Sequence, residues 1–408
     1  MDPAERTRWV VARARTLGFD LCGVASAQGL PELAYLDEWL ARGYAGEMRY
    51  LKDPRRRDPQ HVLDGAQSII VCALNYNTPE PRSTELPITV AAGFTPARRL
   101  ADIPTASGQV PSAATREEDS LRGWISRYAW GDDYHEVVGE MLEALLAAIR
   151  TQFPEPFEAR AYVDTGPIVE RVAAKRAGLG WLAKNTCLIN EKLGSWLFLG
   201  VIITTLELEP FVTSIDGLPP DLCGNCRLCI EACPTGAIVE PYVLDAHRCI
   251  SYLTIELRGR IPEELRAPMG RHVFGCDICQ DVCPYNRNAP TTQLAAFLPR
   301  TVEIRNSKTE TRKRALTTDH YSLLTPDLMW LASLSEAEFR EVFQGSPVKR
   351  TKWRGLVRNA CIALGNALSG EKPTQVWSRA VTLLERLAES PDPVIAEHAK
   401  WALAQRPE

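Results

Sequence analysis

Cys223-Gly224-Asn225-Cys226-Arg227-Leu228-Cys229-Ile230-Glu231-Ala232-Cys233-Pro234 reads Cys-x2-Cys-x2-Cys-x3-Cys-Pro. That is the ligand run of bacterial-type ferredoxins. A second run, Cys276-Asp277-Ile278-Cys279-Gln280-Asp281-Val282-Cys283-Pro284, repeats its ending, and Cys249 stands alone between the two. In two-cluster ferredoxins the fourth cysteine of a run ligates the other cluster, because the chain doubles back. The pattern therefore assigns Cys223, Cys226, Cys229 and Cys283 to one [4Fe–4S] cluster. Cys233, Cys249, Cys276 and Cys279 are left for the second. Soft thiolate ligands suit such clusters, and a module of this kind moves electrons one at a time.

Zinc also takes four cysteines, but its sites usually combine two separated Cys-x2-4-Cys pairs. Disulfides need an oxidising compartment. The start of the chain, Met1-Asp2-Pro3-Ala4-Glu5-Arg6, has neither an apolar signal core nor a twin arginine, so export is not expected. The longest apolar run, Trp196 to Ile203, is too short to span a bilayer. A soluble cytoplasmic monomer with no membrane contact is expected.

The chain has 408 residues, 45% hydrophobic and 24% charged, which suits two or three globular domains. Its net charge of −4 requires any nucleic-acid surface to be local. The cysteines outside the two runs, Cys22, Cys72, Cys187 and Cys361, sit in apolar surroundings and read as core residues.

Asp2-Pro3-Ala4-Glu5 reads as a capped helix start, with a stop near Gly18. Phe19 to Val24, Ser68 to Leu74, Arg160 to Val163 and Trp196 to Leu206 read as strands, being rich in β-branched and aromatic residues. Helical patterns fill Tyr134 to Gln152 and Ile168 to Lys184. The fold class expected is α+β: a mixed α/β domain over 1–209, a two-cluster ferredoxin-like domain over 210–299 and a helical domain over 300–408. Thr78 to Glu118, rich in Pro, Ala, Ser and Thr, reads as a mobile surface insertion.

In the tail, Ser335-Glu336-Ala337-Glu338 resembles a capping start. Ala360, Ala363 and Leu364 recur as Ala399, Ala402 and Leu403, with Asp392-Pro393-Val394 opening the second copy. The period suits a HEAT-like repeat, although an ordinary helical bundle fits the same residues. Between Arg300 and Cys361, 12 Lys/Arg stand against 7 Asp/Glu. They concentrate at Arg305 to Arg314 and at Lys349-Arg350-Thr351-Lys352-Trp353-Arg354. An interleaved aromatic in a basic group reads as a nucleic-acid footprint, with solvated surface as the competing reading. Lys349, Arg350, Lys352 and Arg354 are the candidate contacts. Trp353 reads first as an interhelical core residue.

The segments Trp130-Gly131-Asp132-Asp133-Tyr134-His135, Val163-Asp164-Thr165-Gly166-Pro167 and Ala177-Gly178-Leu179-Gly180-Trp181-Leu182-Ala183-Lys184-Asn185 precede the cysteine runs. With Cys249-Ile250-Ser251-Tyr252-Leu253-Thr254 and the helical tail, this ordered set resembles the epoxyqueuosine reductase family over nearly the whole chain, apart from the insertion after Thr78. The resemblance implies an oxidoreductase that uses cobalamin, fed with electrons by two [4Fe–4S] clusters, to convert epoxyqueuosine to queuosine at the tRNA wobble position. That is the last step of queuosine biosynthesis. An external electron donor is implied, and no histidine is expected on cobalt.

It also implies site residues. Asp164 matches the proposed general acid, whose pKa must be raised to serve near neutral pH; burial against an apolar corrin would do this. From residues alone, an Asp before Thr-Gly-Pro starts a turn or caps a helix. An arginine of the triplet Arg55-Arg56-Arg57 matches a cobalamin-contacting position, with Arg57, just before Asp58-Pro59, fitting best and solvated surface as the competing reading for all three. Ser126, Asn185, Leu188, Leu199 and Asp277 fall at or near positions that contact or line the cobalamin, Leu188 and Leu199 also reading as core and Asp277 as a turn residue. Two other functions fit parts of the chain. A reductive dehalogenase shares the cofactors but is typically exported and lacks the basic tail. A ferredoxin-like carrier with an RNA-binding tail would need no cofactor domain.

Overall fold

Asp2 caps the first helix as its sequence implies. Its carboxylate accepts from the Glu5 amide, and the Glu5 side chain accepts from the Asp2 amide. The computed structural model describes residues 1–28, 30–86, 121–212, 217–305, 318–370 and 374–407. Helix α1 (Pro3–Thr16) ends before Gly18, whose φ of +102° turns the chain into strand β1 (Leu21–Ser26). Helix α2 (Ala34–Ala41) and strand β2 (Ser68–Asn75) follow. Then come β3 (Trp124–Ile125), α3 (Tyr134–Gln152), β4 (Ala159–Tyr162) and α4 (Glu170–Arg176). Two short strands, β5 (Trp181–Leu182) and β6 (Leu188–Ile189), precede β7 (Leu197–Thr204).

Four of these strands form an antiparallel sheet in the order β1-β2-β7-β4. Its strands lie within two residues of the limits read from sequence. Every residue of β2 is buried, because both faces of the sheet are covered. Alternation assigns the faces. Ile70, Cys72 and Leu74 pack with Val10 of α1 and Leu142 of α3. Ile69, Val71 and Ala73 pack with Val172 and Ala173 of α4.

The helix expected from Ile168 to Lys184 is shorter than its pattern. It stops at Arg176, Gly178 takes φ +76°, and the Ile189 carbonyl occupies the space a Cβ on Gly180 would need. The chain then turns into the β5–β6 hairpin, which carries Asn185 at its bend.

The cysteine-rich region contains α5 (Leu228–Glu231), β8 (Ile238–Glu240), β9 (Val243–Leu244), α6 (Ile250–Ile255), α7 (Glu263–Arg266), β10 (His272–Phe274) and α8 (Ile278–Asp281). The short helices α5 and α8 lie against each other, and β10 pairs in parallel with β3. The pair β11 (Thr301–Arg305) and β12 (Thr318–Ser322) is antiparallel. The tail contains α9 (Leu328–Ser333), α10 (Glu336–Val342), α11 (Lys352–Leu368), α12 (Gln375–Ala388) and α13 (Pro393–Ala404).

Ser335 and Glu338 form the expected capping box on α10, and Asp392 caps α13. The repeated alanines lie on α11 and α13, which pack so closely that a Cβ on Gly365 would meet Ala402. Trp353 is partly buried against the tail core, and its indole donates to the Leu334 carbonyl at 2.6 Å.

The insertion reading needs a correction at its start. Arg127 donates to the Thr78 carbonyl and hydroxyl, both at 2.8 Å, and to the Glu80 and Pro81 carbonyls. Residues 78–86 are therefore fastened; 87–118 lie outside the described residues. Cys22, Cys72 and Cys361 are buried as expected, but Cys187 is partly exposed and lies against Cys279.

One hydrophobic cluster runs through Trp124, Trp130, Leu253, Val273, Leu331, Ala363 and Ala402. The cysteine-rich region and the tail thus share a core. Arg358 on α11 is fully buried and donates to the carbonyls of Leu253, Leu257 and Gly259 at 2.6–2.8 Å. Replacing it with Ala strands these acceptors, so Arg358→Ala should cost about 3 kcal/mol, read as a lowered unfolding midpoint in denaturant.

Candidate active site

The two cysteine runs form a pair of thiol groups. Burial first, then Cys283, Cys226 and Cys223, push the Cys229 thiol up to about 12. Cys276 is raised by burial first, with Cys249 and Cys233 contributing, and Cys279 feels Cys276 and Cys249. Cys223, Cys226, Cys229 and Cys283 thus influence one another, as do Cys233, Cys249, Cys276 and Cys279. Iron would relieve this crowding by taking the thiols as thiolates. Among the described residues, no group of His, Cys, Asp or Glu is gathered tightly enough for a single metal ion. A cubane of four irons spreads its thiolates wider than one tetrahedral ion does.

Backbone and side chains close around the module. The Ala237 amide donates to Cys233 Sγ at 3.2 Å. Lys184 donates to the Gly224 and Cys226 carbonyls, and Trp181 packs near Cys223 and Cys283. Asn185 is buried; its amide donates to the Cys279 carbonyl at 3.2 Å, and its oxygen accepts from the Cys187 amide. Asp277 is buried and accepts from Trp124 Nε1 at 3.0 Å, from the Arg127 amide at 2.8 Å and from Ser126 Oγ. Asp277 thus holds the segment carrying Ser126 against the second thiol group.

Asp164 sits in the loop between β4 and α4. Its φ of +56° is rare for a residue with a Cβ and costs of order 1 kcal/mol. The Glu170 carboxylate holds the turn by accepting from the Asp164 amide at 2.7 Å. Burial first, and the Asp164 charge second, push Glu170 up to about 8. On Asp164 Oδ2, Tyr134 Oη donates at 3.0 Å, while His135 Nε2 stands 3.6 Å away and an Arg350 nitrogen 3.7 Å away.

These neighbours decide the protonation of Asp164. Burial raises its pKa, but His135, Arg350 and Tyr134 together outweigh that and hold it below the usual value. The raised pKa expected from sequence is therefore absent in the protein without a corrin, for a physical reason: two cations face the carboxylate. His135 is the counterpart. Burial opposes its charge, but the hydrogen bond to Asp133 and the nearby Asp164 carboxylate push it up to about 9.

Helix α3 creates this arrangement. Asp133 is its N-cap, and the same Oδ1 that accepts from the His135 amide holds His135 Nδ1 at 2.7 Å. Tyr134 stacks flat on Phe198 with ring centres 4.4 Å apart. Tyr134, His135 and Glu170 were not singled out from sequence. An Asp N-cap followed by Tyr-His at a helix start was the available signal.

The other candidates divide. Leu199 is half-buried; like Tyr162, Leu182 and Leu197 it packs against the core cluster in which Leu188 is buried. Arg57 pairs with Asp37 at 2.6 Å. Its neighbour Arg56 is the buried member of the triplet and donates to the Ile168 carbonyl, beside the Asp164 loop. In the tail, Lys349 pairs with Asp133 at 2.7 Å, Arg350 with Glu256 at 2.6 Å and Arg354 with Asp392. Lys352 is exposed. Two of the four basic candidates thus reach the Asp133–Asp164 site. Positions 306–314 of the other basic run lie outside the described residues.

The grouping makes a sharp prediction. The reconstituted protein should hold about eight irons per chain, and Cys249→Ala about four, with the cluster of the Cys223 group retained. Anaerobic iron and sulfide analysis with EPR checks this. Stoichiometric zinc, or loss of both clusters in a folded Cys249→Ala protein, would contradict the grouping.

Comparison with known proteins agrees with the geometry. A family model described as "4Fe-4S double cluster binding domain" matches residues 222–286. A second, "Epoxyqueuosine reductase QueG, DUF1730", matches residues 106–165, which include Asp133, His135 and Asp164. Epoxyqueuosine reductase of Gloeobacter violaceus is 41% identical over 87% of this chain and 95% of its own length. A crystal structure of epoxyqueuosine reductase with an epoxyqueuosine-modified tRNA-Tyr stem loop superposes with a TM-score of 0.75 at 28% identity, over 98% of this chain and 90% of that one. The enzyme from Streptococcus thermophilus gives 0.72 at 27% identity, over 98% and 91%. By its site, its fold and its likeness along nearly its full length, the chain belongs to the epoxyqueuosine reductase family.

Proposed function

We propose that this protein reduces epoxyqueuosine in tRNA to queuosine, with electrons delivered through two [4Fe–4S] clusters. The observation that carries the reading is the placement of Asp164, cradled by Tyr134, His135 and Arg350, in one fold with two sets of four thiols. A bare electron carrier has no use for a carboxylate held in a strained turn and faced by a tyrosine and two cations. The likeness to a structure holding a modified tRNA stem loop supports tRNA as the substrate carrier. The reading puts the enzyme in the cytoplasm with its tRNA.

Cobalamin fits the residues present. Tyr162, two residues before Asp164, and Leu182, Leu197 and Leu199, all partly buried against one core, would offer the corrin an apolar ledge, and Ser126, Asn185 and Asp277 tie the surrounding backbone to the cluster module. Bound there, cobalamin would supply a strongly reducing metal centre. The protein's own residues do the rest. Asp164 gives a proton to the epoxide oxygen as its carbon–oxygen bond opens. Tyr134 and Glu170 fix where that carboxyl stands. Covering the ledge excludes water, which strengthens each of these contacts and raises the proton affinity of Asp164.

The direct test is incubation with epoxyqueuosine tRNA, cobalamin and a reductant, followed by nucleoside mass analysis; queuosine is the expected product. Asp164→Asn should keep clusters and corrin but slow turnover by roughly two to four orders of magnitude. Unimpaired turnover would remove Asp164 from the reaction, and loss of the corrin would show a structural role.

The tail makes a second prediction. Replacing Lys349, Arg350, Lys352 and Arg354 with Ala should weaken tRNA binding and flatten its salt dependence. Singly, Lys352→Ala should affect binding alone, whereas Arg350→Ala should also slow turnover, because Arg350 faces Asp164. Titrations at several salt concentrations, with visible spectra as the folding control, read both effects. An unchanged salt slope in the fourfold variant would move the tRNA site elsewhere.

A further inference from the structure

Removing the oxygen of an epoxide to leave an alkene releases water. The balance is two electrons and two protons per substrate: one proton as the ring opens, another as the oxygen departs. The electrons come from the external reductant through the clusters. Asp164 carries at most one proton, so on the reading proposed above the site needs a second proton within reach.

His135 has the geometry for it. Its Nδ1 is held by Asp133 Oδ1 at 2.7 Å. Its Nε2 is buried without a hydrogen-bond partner and stands 3.6 Å from Asp164 Oδ2, close enough to pair but too long for a made hydrogen bond. A buried, unpartnered donor aimed at the acid is unusual, because such groups are costly to leave unsatisfied. Lys349 occupies the other oxygen of Asp133 at 2.7 Å, which keeps that carboxylate anionic and fixed. The order Asp133, His135, Asp164 is that of an orienting carboxylate, a proton carrier and a reacting group.

We propose that His135 reloads Asp164 with the second proton of each turnover, with Asp133 and Lys349 as its positioning residues. In the step, the His135 Nε2–H bond breaks as the Asp164 Oδ2–H bond forms, after Asp164 has given its first proton to the substrate oxygen. The second proton then leaves Asp164 for the departing oxygen, completing water. Neutral His135 keeps its Nδ1 proton, held toward Asp133, and its buried Nε2 recovers the other through Asp164, whose side chain is half-exposed once the product has left.

The charged groups around His135 favour this store. From its own helix come Asp133, Tyr134 and Glu136; from the β4–α4 loop Asp164, with Glu170 behind it; from the segment before α11 Lys349 and Arg350. Before the site is covered, the imidazole carries the proton around neutral pH and Asp164 is ionised, consistent with a His135 value pushed up to about 9 and an Asp164 value below normal. Covering the site raises the proton affinity of Asp164, whose half-exposed side chain takes its own first proton from solvent, so that the pair then holds two. Tyr134 is raised by burial, so it donates without letting its proton go.

The sign follows. The store is full below the raised His135 value and empties as pH rises through it. Wild-type turnover should hold to about pH 9 and then fall. Asp133→Asn removes one anion, so the His135 titration and the alkaline limb should both move down toward the ordinary value of about 6.5. His135→Gln should lower turnover roughly a hundredfold and abolish the alkaline limb, with cluster content and tRNA affinity unchanged.

The experiment is a histidine NMR titration of the full-length, cluster-loaded protein, assigned with His135→Gln, alongside pH–rate profiles of wild type, His135→Gln and Asp133→Asn. A His135 midpoint near 9 that drops in Asp133→Asn supports the store. A wild-type midpoint at the ordinary value of about 6.5 overturns it whether or not queuosine forms. So does a His135→Gln enzyme that makes queuosine at the wild-type rate and pH profile. Absence of queuosine from wild type itself would count against the proposed reaction, a separate failure.

Discussion

The Asp277 carboxylate is the join on which the rest of the site depends. It lies buried between Cys276 and Cys279 and receives three donors from the segment Trp124 to Arg127. An ionised carboxyl is expensive to bury, and three donors offset that cost only if all three stay in place. The segment they fix pairs β3 with β10 and runs directly into Asp133 and α3. The helix that presents Tyr134 and His135 is therefore set relative to the cluster module through one carboxylate. Arg127 extends the same join: it stacks over Trp130 and Trp196 and fastens the chain at Thr78.

Charge around the acid is arranged by residues from three parts of the chain. Asp133, Asp164, Glu170 and Glu256 would repel one another if left alone. His135 from α3 and Lys349 and Arg350 from the tail answer them. A local excess of basic residues in the sequence is thus partly used inside the protein, on acids far upstream in the chain. Arg350 also lies over the Tyr50 ring, 6.0 Å from its centre, which fixes the guanidinium between Glu256 and Asp164.

What was legible in the sequence was whatever is encoded locally. The cysteine spacing implied the thiol groups, since short loops with prolines after Cys233 and Cys283 dictate how the chain doubles back. The sheet strands announced themselves through β-branched runs, and Asp2, Ser335 and Asp392 through their capping positions. The α4 reading overran because glycine placement, rather than helical periodicity, ends that helix at Arg176. The place of His135 at the site was hidden because Asp164, which faces it, and Lys349, which holds its neighbour Asp133, meet them only in the folded chain. The same holds for Lys349 and Arg350: a basic cluster does not reveal which of its members face solvent and which face an acid.

The shared core gives the tail a structural part beyond any contact with RNA. Arg358 and Asn359, adjacent on α11, are both fully buried. Arg358 satisfies the carbonyls of Leu253, Leu257 and Gly259, and Asn359 those of Thr254 and Val273. Thr351 adds a bond to Thr254. All of these acceptors lie on the chain between Cys249 and Cys276, the linker that sets these two neighbouring thiols relative to each other. Polar groups buried this way are costly to expose, so α11 and that linker form as a unit. The turn leading into α11 also positions Lys349 and Arg350 against Asp133 and Asp164. A tail that merely tethered RNA to an electron carrier would have no reason to be built into both the cluster linker and the acid site.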